Sequence, residues 1–167
     1  MAISKRIEDA LNQQIHNEFY SAYLYLSMST YSDANNLPGF AQWMRIQNEE
    51  ERSHGMRLFD YLEARSGRVR LGAIEQPPGE FDSQLAMFET ALEHESEVTT
   101  TIHRLYELAK EESDYPTEVE LQWFVREQVE EEKTLQDILA QLRMIGDQPT
   151  ALVMMDRQLG SRQTEAT

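Results

Sequence analysis

Apolar residues recur every three or four positions through four long stretches of this 167-residue chain, the spacing of a helix face turned to a core. The first stripe reads Ile7, Leu11, Ile15, Glu18, Ala22, Tyr25 and Ser29. The second reads Phe40, Met44, Gln47, Glu51, His54, Leu58 and Tyr61. The third reads Leu85, Phe88, Leu92, Glu95, Thr99, Ile102 and Tyr106. The fourth reads Leu121, Phe124, Gln128, Glu131, Leu135, Ile138, Leu142 and Ile145. The alternation of period two that marks a strand is missing from the sequence, so the predicted class is all-α.

Turn residues set the predicted boundaries: helices over about 4–36, 39–66, 82–112, 117–145 and 149–159, a polar tail over 160–167, and one domain over 1–167. Ser4 and Asp82 or Ser83 are candidate N-caps, and Gly67 is placed to end the second helix. Residues 68–81 hold Gly72, Pro77, Pro78 and Gly79, which exclude a regular helix. Each long helix has about 28 residues and is roughly 42 Å long. Short breaks at Leu37–Gly39 and Ser113–Pro116 make two antiparallel hairpins. The roughly 14-residue link between them reaches about 45 Å when extended, enough to run the length of a bundle. The expected architecture is therefore a four-helix bundle of two hairpins with a long crossover, followed by a short fifth helix.

The stripes are interrupted at one level. Glu18, Glu51, Glu95 and Glu131 each fall roughly 12–14 residues into their helices, near the middle, so they meet whichever way each helix runs. His54 stands one turn from Glu51. A buried carboxylate without a partner costs several kcal/mol or takes up a proton, and a metal ion would serve all of these groups. The chain has no cysteine, which rules out thiolate ligands and leaves hard oxygen donors with one imidazole. Thirty acidic against fifteen basic side chains give a formal charge of −15, which disfavours nucleic acid and anionic membranes and suits cations. The opening MAISKRIEDALNQQ has no apolar signal region and no stretch approaches 18 apolar residues, so a cytoplasmic location is expected.

The motifs His16-Asn17-Glu18-Phe19-Tyr20, Glu50-Glu51 followed by Ser53-His54, Glu95, and Glu127-Gln128 followed by Glu130-Glu131 resemble a non-haem ferritin of the prokaryotic type over essentially the whole chain. The resemblance implies that Glu18, Glu51 and His54 hold one iron. Glu51 would bridge to a second iron held by Glu95 and Glu131, with Gln128 beside the pair. Glu50, Glu127, Glu130 and Glu131 match a third iron site, Tyr25 a redox-active tyrosine, and Trp123 its aromatic neighbour. A bacterioferritin would carry a second Glu-x-x-His on the fourth helix, where residue 131 is Glu, and a haem-ligating Met where this chain has Arg52; haem is not expected. Glu118 matches one acid of the family's three-fold channels, while Leu121 departs from the second.

The implied function is iron storage and detoxification. Fe(II) is oxidised by O₂ or H₂O₂ at a di-iron ferroxidase centre and kept as ferric mineral in a hollow homo-oligomeric shell of twenty-four subunits. The apolar face of the fifth helix (Ala151, Leu152, Met155, Leu159) would pack near four-fold axes or on its own bundle. Plainer readings stand beside these. His16, His94 and His103 read as surface or packing residues; Tyr25 alone is a core tyrosine with a satisfied hydroxyl; Glu127 and Glu130 also fit the solvated face of an acidic helix. The alternatives in function are a non-storage di-iron oxidase or peroxidase, which the lack of a Cys-x-x-Cys domain disfavours, and a non-catalytic helical scaffold.

Overall fold

The computed structural model describes residues 3–164, so the last residues of the polar tail, 165–167, lie outside the described residues. Five helices follow in order: α1 (Lys5–Ala34), α2 (Pro38–Ala64), α3 (Gln84–Glu111), α4 (Tyr115–Ile145) and α5 (Pro149–Leu159). No strand occurs among the described residues. Local chemistry sets the helix starts. Ser4, Ser83 and Asp114 accept hydrogen bonds from the amides of Ile7, Ala86 and Thr117, satisfying donors that the first turn leaves free. Pro116 sits in the first turn of α4, where its missing N–H costs nothing, so this helix begins at Tyr115 rather than at the Thr117 expected from the sequence.

Three helices end in the same way, and Gly67 is not the residue that turns the second. Asn36, Ser66 and Ser113 each take up left-handed backbone, at φ 60°, 59° and 53°. At the end of α2 the Ser66 amide donates to the Glu63 carbonyl at 2.8 Å and the Gly67 amide to the Leu62 carbonyl at 2.9 Å, a Schellman pair. Gly67 is needed one residue later for space: a Cβ there would lie 2.3 Å from Leu62 Cδ1.

The crossover runs beside α1 for much of its length. Asn12 bonds to the Arg68 carbonyl and the Arg70 amide, His16 pairs with Glu75, Ser27 donates to the Pro78 carbonyl, and Tyr31 packs edge-on against Phe81. The link thus carries the chain from the end of α2 to the far end of the bundle, where Ser32 of α1 meets Gln84 at the start of α3. At the opposite end Arg6 pairs with Glu112. α3 is therefore antiparallel to α1, and both hairpins contribute to each core cluster.

The buried faces of α1 and α4 match their stripes closely, except that Ile145 is only partly buried. On α2, Leu62 is buried and Tyr61 is partly exposed. The face of α3 is turned from the expected one. Met87, Ala91, Val98, Leu105 and Ala109 are buried with Phe88, Glu95 and Ile102, while Leu85, Leu92, Thr99 and Tyr106 flank them. The helix is rotated so that Met87, Val98 and Leu105 as well as the two alanines point inward.

Two apolar clusters form the core. One gathers Tyr25, Met28, Phe40, Met44, Phe88 and Leu139; the other gathers Ile7, Leu11, Leu58, Ile102, Leu121 and Phe124. Between them lies a layer of buried polar side chains. α5 packs back on its own bundle, burying Met155 and Leu159 in the first cluster, while Val153 and Met154 face outward.

Candidate metal centre

The polar layer between the two clusters draws side chains from all four long helices. Glu18 comes from α1, Glu51 and His54 from α2, Glu95 from α3, and Gln128 and Glu131 from α4. Each lies on the inward stripe of its helix, so the periodicity that buries the neighbouring leucines and phenylalanines buries these groups too. Glu18 and Glu51 are each only 1% exposed and Glu95 is 0% exposed.

The carboxylates converge in three overlapping sets whose ligand atoms lie within 4.8 Å of one another: Glu18, Glu51 and His54; Glu51, Glu95 and Glu131; and His54, Glu127 and Glu131. Glu51 belongs to the first two and so stands between them. His54 Nδ1 is 3.7 Å from Glu51 and 4.0 Å from Glu18, while Nε2 is 3.9 Å from Glu127. The imidazole is held edge-on to Trp123, with ring centroids 5.2 Å apart.

Neutral donors surround the acids. Gln14 donates to Glu18 Oε1 at 2.7 Å, and Gln47 donates to Glu51 Oε1 at 3.2 Å and to Glu131 Oε2 at 2.6 Å. Gln128 donates to the Glu95 carboxylate at 3.1 Å and to the Glu95 carbonyl at 3.2 Å. The Tyr25 hydroxyl donates to Glu95 Oε1 at 2.6 Å.

These bonds do not offset the cost of burial. Loss of solvent raises the Glu18 carboxyl above its usual range, against the pull of His54. Burial and the charges of Glu95 and Glu18 push Glu51 well up; burial with Glu51 and Glu95 does the same to Glu131. Burial raises Glu95 despite the bonds from Tyr25 and Gln128. Burial, reinforced by Glu95, also keeps the Tyr25 phenol protonated far above its ordinary range. Four acids and one imidazole are thus too negative to ionise together unless cations enter. The donor set suits hard divalent ions, iron among them.

Not every residue singled out in the sequence joins this layer. Glu127 does, through His54 and Glu131. Glu130 is exposed and belongs to none of the three sets. Glu50 is half-buried and pairs with Arg162 at 2.6 Å. His16 pairs with Glu75 on the crossover. His94 bonds with Ser21 Oγ at 2.7 Å, and burial lowers its pKa to about 4, so the ring is neutral. Gln14, Gln47 and Arg162 carry contacts for which the stripes suggested no role. The first two left a trace, since each glutamine stands four residues before a buried glutamate. Arg162 left none.

The ferritin-like domain model matches residues 8–145. The bacterial non-heme ferritin of Staphylococcus saprophyticus is 38% identical over 160 residues, 96% of each chain. The one from Staphylococcus aureus (strain USA300) is 36% identical over the same span and coverage. Among solved structures, the open-pore ferritin of the hyperthermophilic archaeon Archaeoglobus fulgidus superposes with a TM-score of 0.97 at 51% identity, covering 98% of this chain and 100% of that one. In fold and in sequence alike, this chain belongs to the ferritin-like family, among the non-haem ferritins of prokaryotes.

Proposed function

We propose that the protein stores iron and acts as a ferroxidase, binding Fe(II) as substrate within the bundle and passing ferric product to a mineral held in an oligomeric shell. The observation that carries this reading is the overlap of the sets Glu18–Glu51–His54 and Glu51–Glu95–Glu131 on one shared carboxylate. Two cations so placed would share Glu51, the bridging role expected for it. Hard oxygen ligands stabilise Fe(III) more than Fe(II), which favours electron loss. Two Fe(II) ions each give one electron to O₂, which takes up two protons and leaves as H₂O₂; with H₂O₂ as oxidant, the same two electrons and two protons yield two waters.

The chain's own part is to bind, orient and screen. Gln47 and Gln14 hold the carboxylates in place, and Gln128 and Tyr25 together fix Glu95. Apolar layers on either side exclude bulk water. A further cation at His54, Glu127 and Glu131, with Glu50 and Glu130 nearby in sequence, would lie on the α2–α4 side. Storage demands a cavity that one bundle lacks, so the proposal includes a closed assembly, with twenty-four subunits as the expected number.

Anaerobic Fe(II) titration followed by oxygen tests the chemistry. Uptake of about two or three Fe(II) per chain and a fast ferric absorbance rise are expected, with the fast phase lost in Glu51→Ala. Full-speed oxidation in that variant overturns the site assignment, and failure to bind Fe(II) at all overturns the oxidase reading. Size-exclusion chromatography decides storage, because a monomer or dimer would leave only a non-storage di-iron enzyme.

A further inference from the structure

Arg162 lies just beyond α5, 112 residues from Glu50 in sequence, yet its guanidinium reaches the edge of the carboxylate layer. Nη2 donates to Glu50 Oε2 at 2.6 Å, and Nη1 donates to Gln47 Oε1 at 2.9 Å and to the Trp43 carbonyl at 3.5 Å. The guanidinium carbon stands 4.5 Å from the centre of the Trp43 ring, so the group is stacked as well as hydrogen-bonded. α5 delivers it there. Met155 and Leu159 anchor the helix in the core, and the Asp156 carboxylate accepts from the Phe40 amide at 2.9 Å, supplying α2 with the cap that its own Leu37 cannot provide.

Gln47 links this arginine to the acids. A guanidinium has donors and no acceptor, so Gln47 must turn its carbonyl oxygen toward Arg162. Its NH₂ group then faces inward, where it donates to Glu131 at 2.6 Å and Glu51 at 3.2 Å. An unanchored amide would have two orientations open to it, one of which sets an oxygen against two carboxylates.

We propose that Arg162 is a positioning residue of the carboxylate centre with two effects. It orients Gln47 toward Glu51 and Glu131, and it acts as a tethered cation on Glu50, so that a divalent ion binding through Glu50 must first displace it. The centre would then hold two cations tightly and a further one weakly, because a guanidinium fixed by α5 competes at high local concentration with any ion from solution. This inference rests on Glu51 and Glu131 being cation ligands, as proposed above, and its second effect on Glu50 joining the further cation near His54, Glu127 and Glu131.

The test uses the assembled, metal-free full chain, titrated anaerobically with Co(II) and separately with Fe(II), in the wild type, Arg162→Gln, Arg162→Lys, Glu50→Gln and the Arg162→Gln/Glu50→Gln pair. Freeing Glu50 should tighten the weakest class of sites about tenfold in Arg162→Gln, the scale expected when one unit charge is removed a few ångströms from a half-exposed carboxylate. The double variant should lose that gain, which a merely structural role for Arg162 would not predict. Arg162→Lys should leave the weak class as in the wild type, because the charge on Glu50 persists. It should nevertheless shift the visible Co(II) spectrum of the tight sites, because one ammonium cannot reproduce the fork that also holds Gln47. An unchanged weak class in Arg162→Gln, an equal gain in the double variant, or an unaltered spectrum in Arg162→Lys overturns the inference. Should Arg162→Gln fail to assemble, the Arg162→Lys spectrum still decides. Failure of wild-type protein to bind Co(II) or Fe(II) tightly would instead overturn the underlying reading of the centre.

Discussion

Glu51 stands in two of the three sets of carboxylates and imidazole that converge between the apolar clusters. It is 1% exposed, converges with Glu18, Glu95 and Glu131, and its pKa is raised well above the usual carboxylate range by burial first and by the charges of Glu95 and Glu18 second. Between the ordinary carboxylate pKa and that raised value, the native state keeps a proton that the unfolded chain has released. Stability from this source is present below the unfolded pKa and lost as pH rises through the folded one. Metal-free protein should therefore weaken as pH climbs above about 4.5. Glu51→Gln should flatten that slope and be more stable at pH 7, by on the order of 1–2 kcal/mol. Thermal unfolding of chelator-treated protein from pH 5 to 8 measures it; parallel curves for wild type and variant would contradict it. This residue was legible in the sequence because a polar group in phase with an apolar stripe is a local fact. Its companion Gln47 was in phase as well, and Gln14 stands four residues before Glu18, but glutamine in a core has too many uses for position alone to assign one.

At the scale of the element, the helix ends separate two demands often met by a single glycine. At the end of α2, Ser66 supplies the left-handed turn at φ 59° and Gly67 supplies the close approach to Leu62. Left-handed backbone costs an L-residue roughly 1–2 kcal/mol, part of which glycine returns through its looser unfolded chain. Ser66→Gly should thus stabilise by about 0.5–1 kcal/mol. Gly67→Ala should destabilise, since its Cβ would sit 2.3 Å from Leu62 Cδ1. Chemical denaturation of the two variants, read at the same protein concentration, checks the opposite signs, and equal signs would refute this division of labour. The sequence placed the stop within a residue or two because Gly67 marked it. It could not say that the neighbour turns, since serine has no strong preference for that conformation. The face of α3 was misjudged because Leu85, Leu92 and Tyr106 and the adjoining Met87, Val98 and Leu105 offer overlapping apolar stripes, and only packing against the neighbouring helices decides which of them turns inward.

At the scale of the whole molecule, two hydrophobic clusters are separated by a layer that is stable only when neutralised. Cations that bind the folded layer and not the open chain raise stability by mass action, about 2.7 kcal/mol at a hundred times the dissociation constant. Zn(II), a redox-silent stand-in for Fe(II), should therefore raise the melting temperature of metal-free protein at neutral pH and release protons into weak buffer as it displaces them from the raised carboxyls. The same concentration of Mg(II) should do much less, because it sheds water reluctantly and favours no imidazole. Equal shifts from both ions would reduce the effect to screening of the −15 net charge. The family places the chain among iron proteins, and this measurement asks whether its own centre is the reason.

The amino-acid sequence alone determined the helices, the inward phase of most of them and the common depth of Glu18, Glu51, Glu95 and Glu131, because helical period and turn chemistry act over a few residues. Only the tertiary structure decided which acids converge within ligand distance of one another, which way the Gln47 amide points and that Glu50 is taken by Arg162. Those depend on how far each helix is rotated against its neighbours, and on a contact across 112 residues that no local pattern encodes.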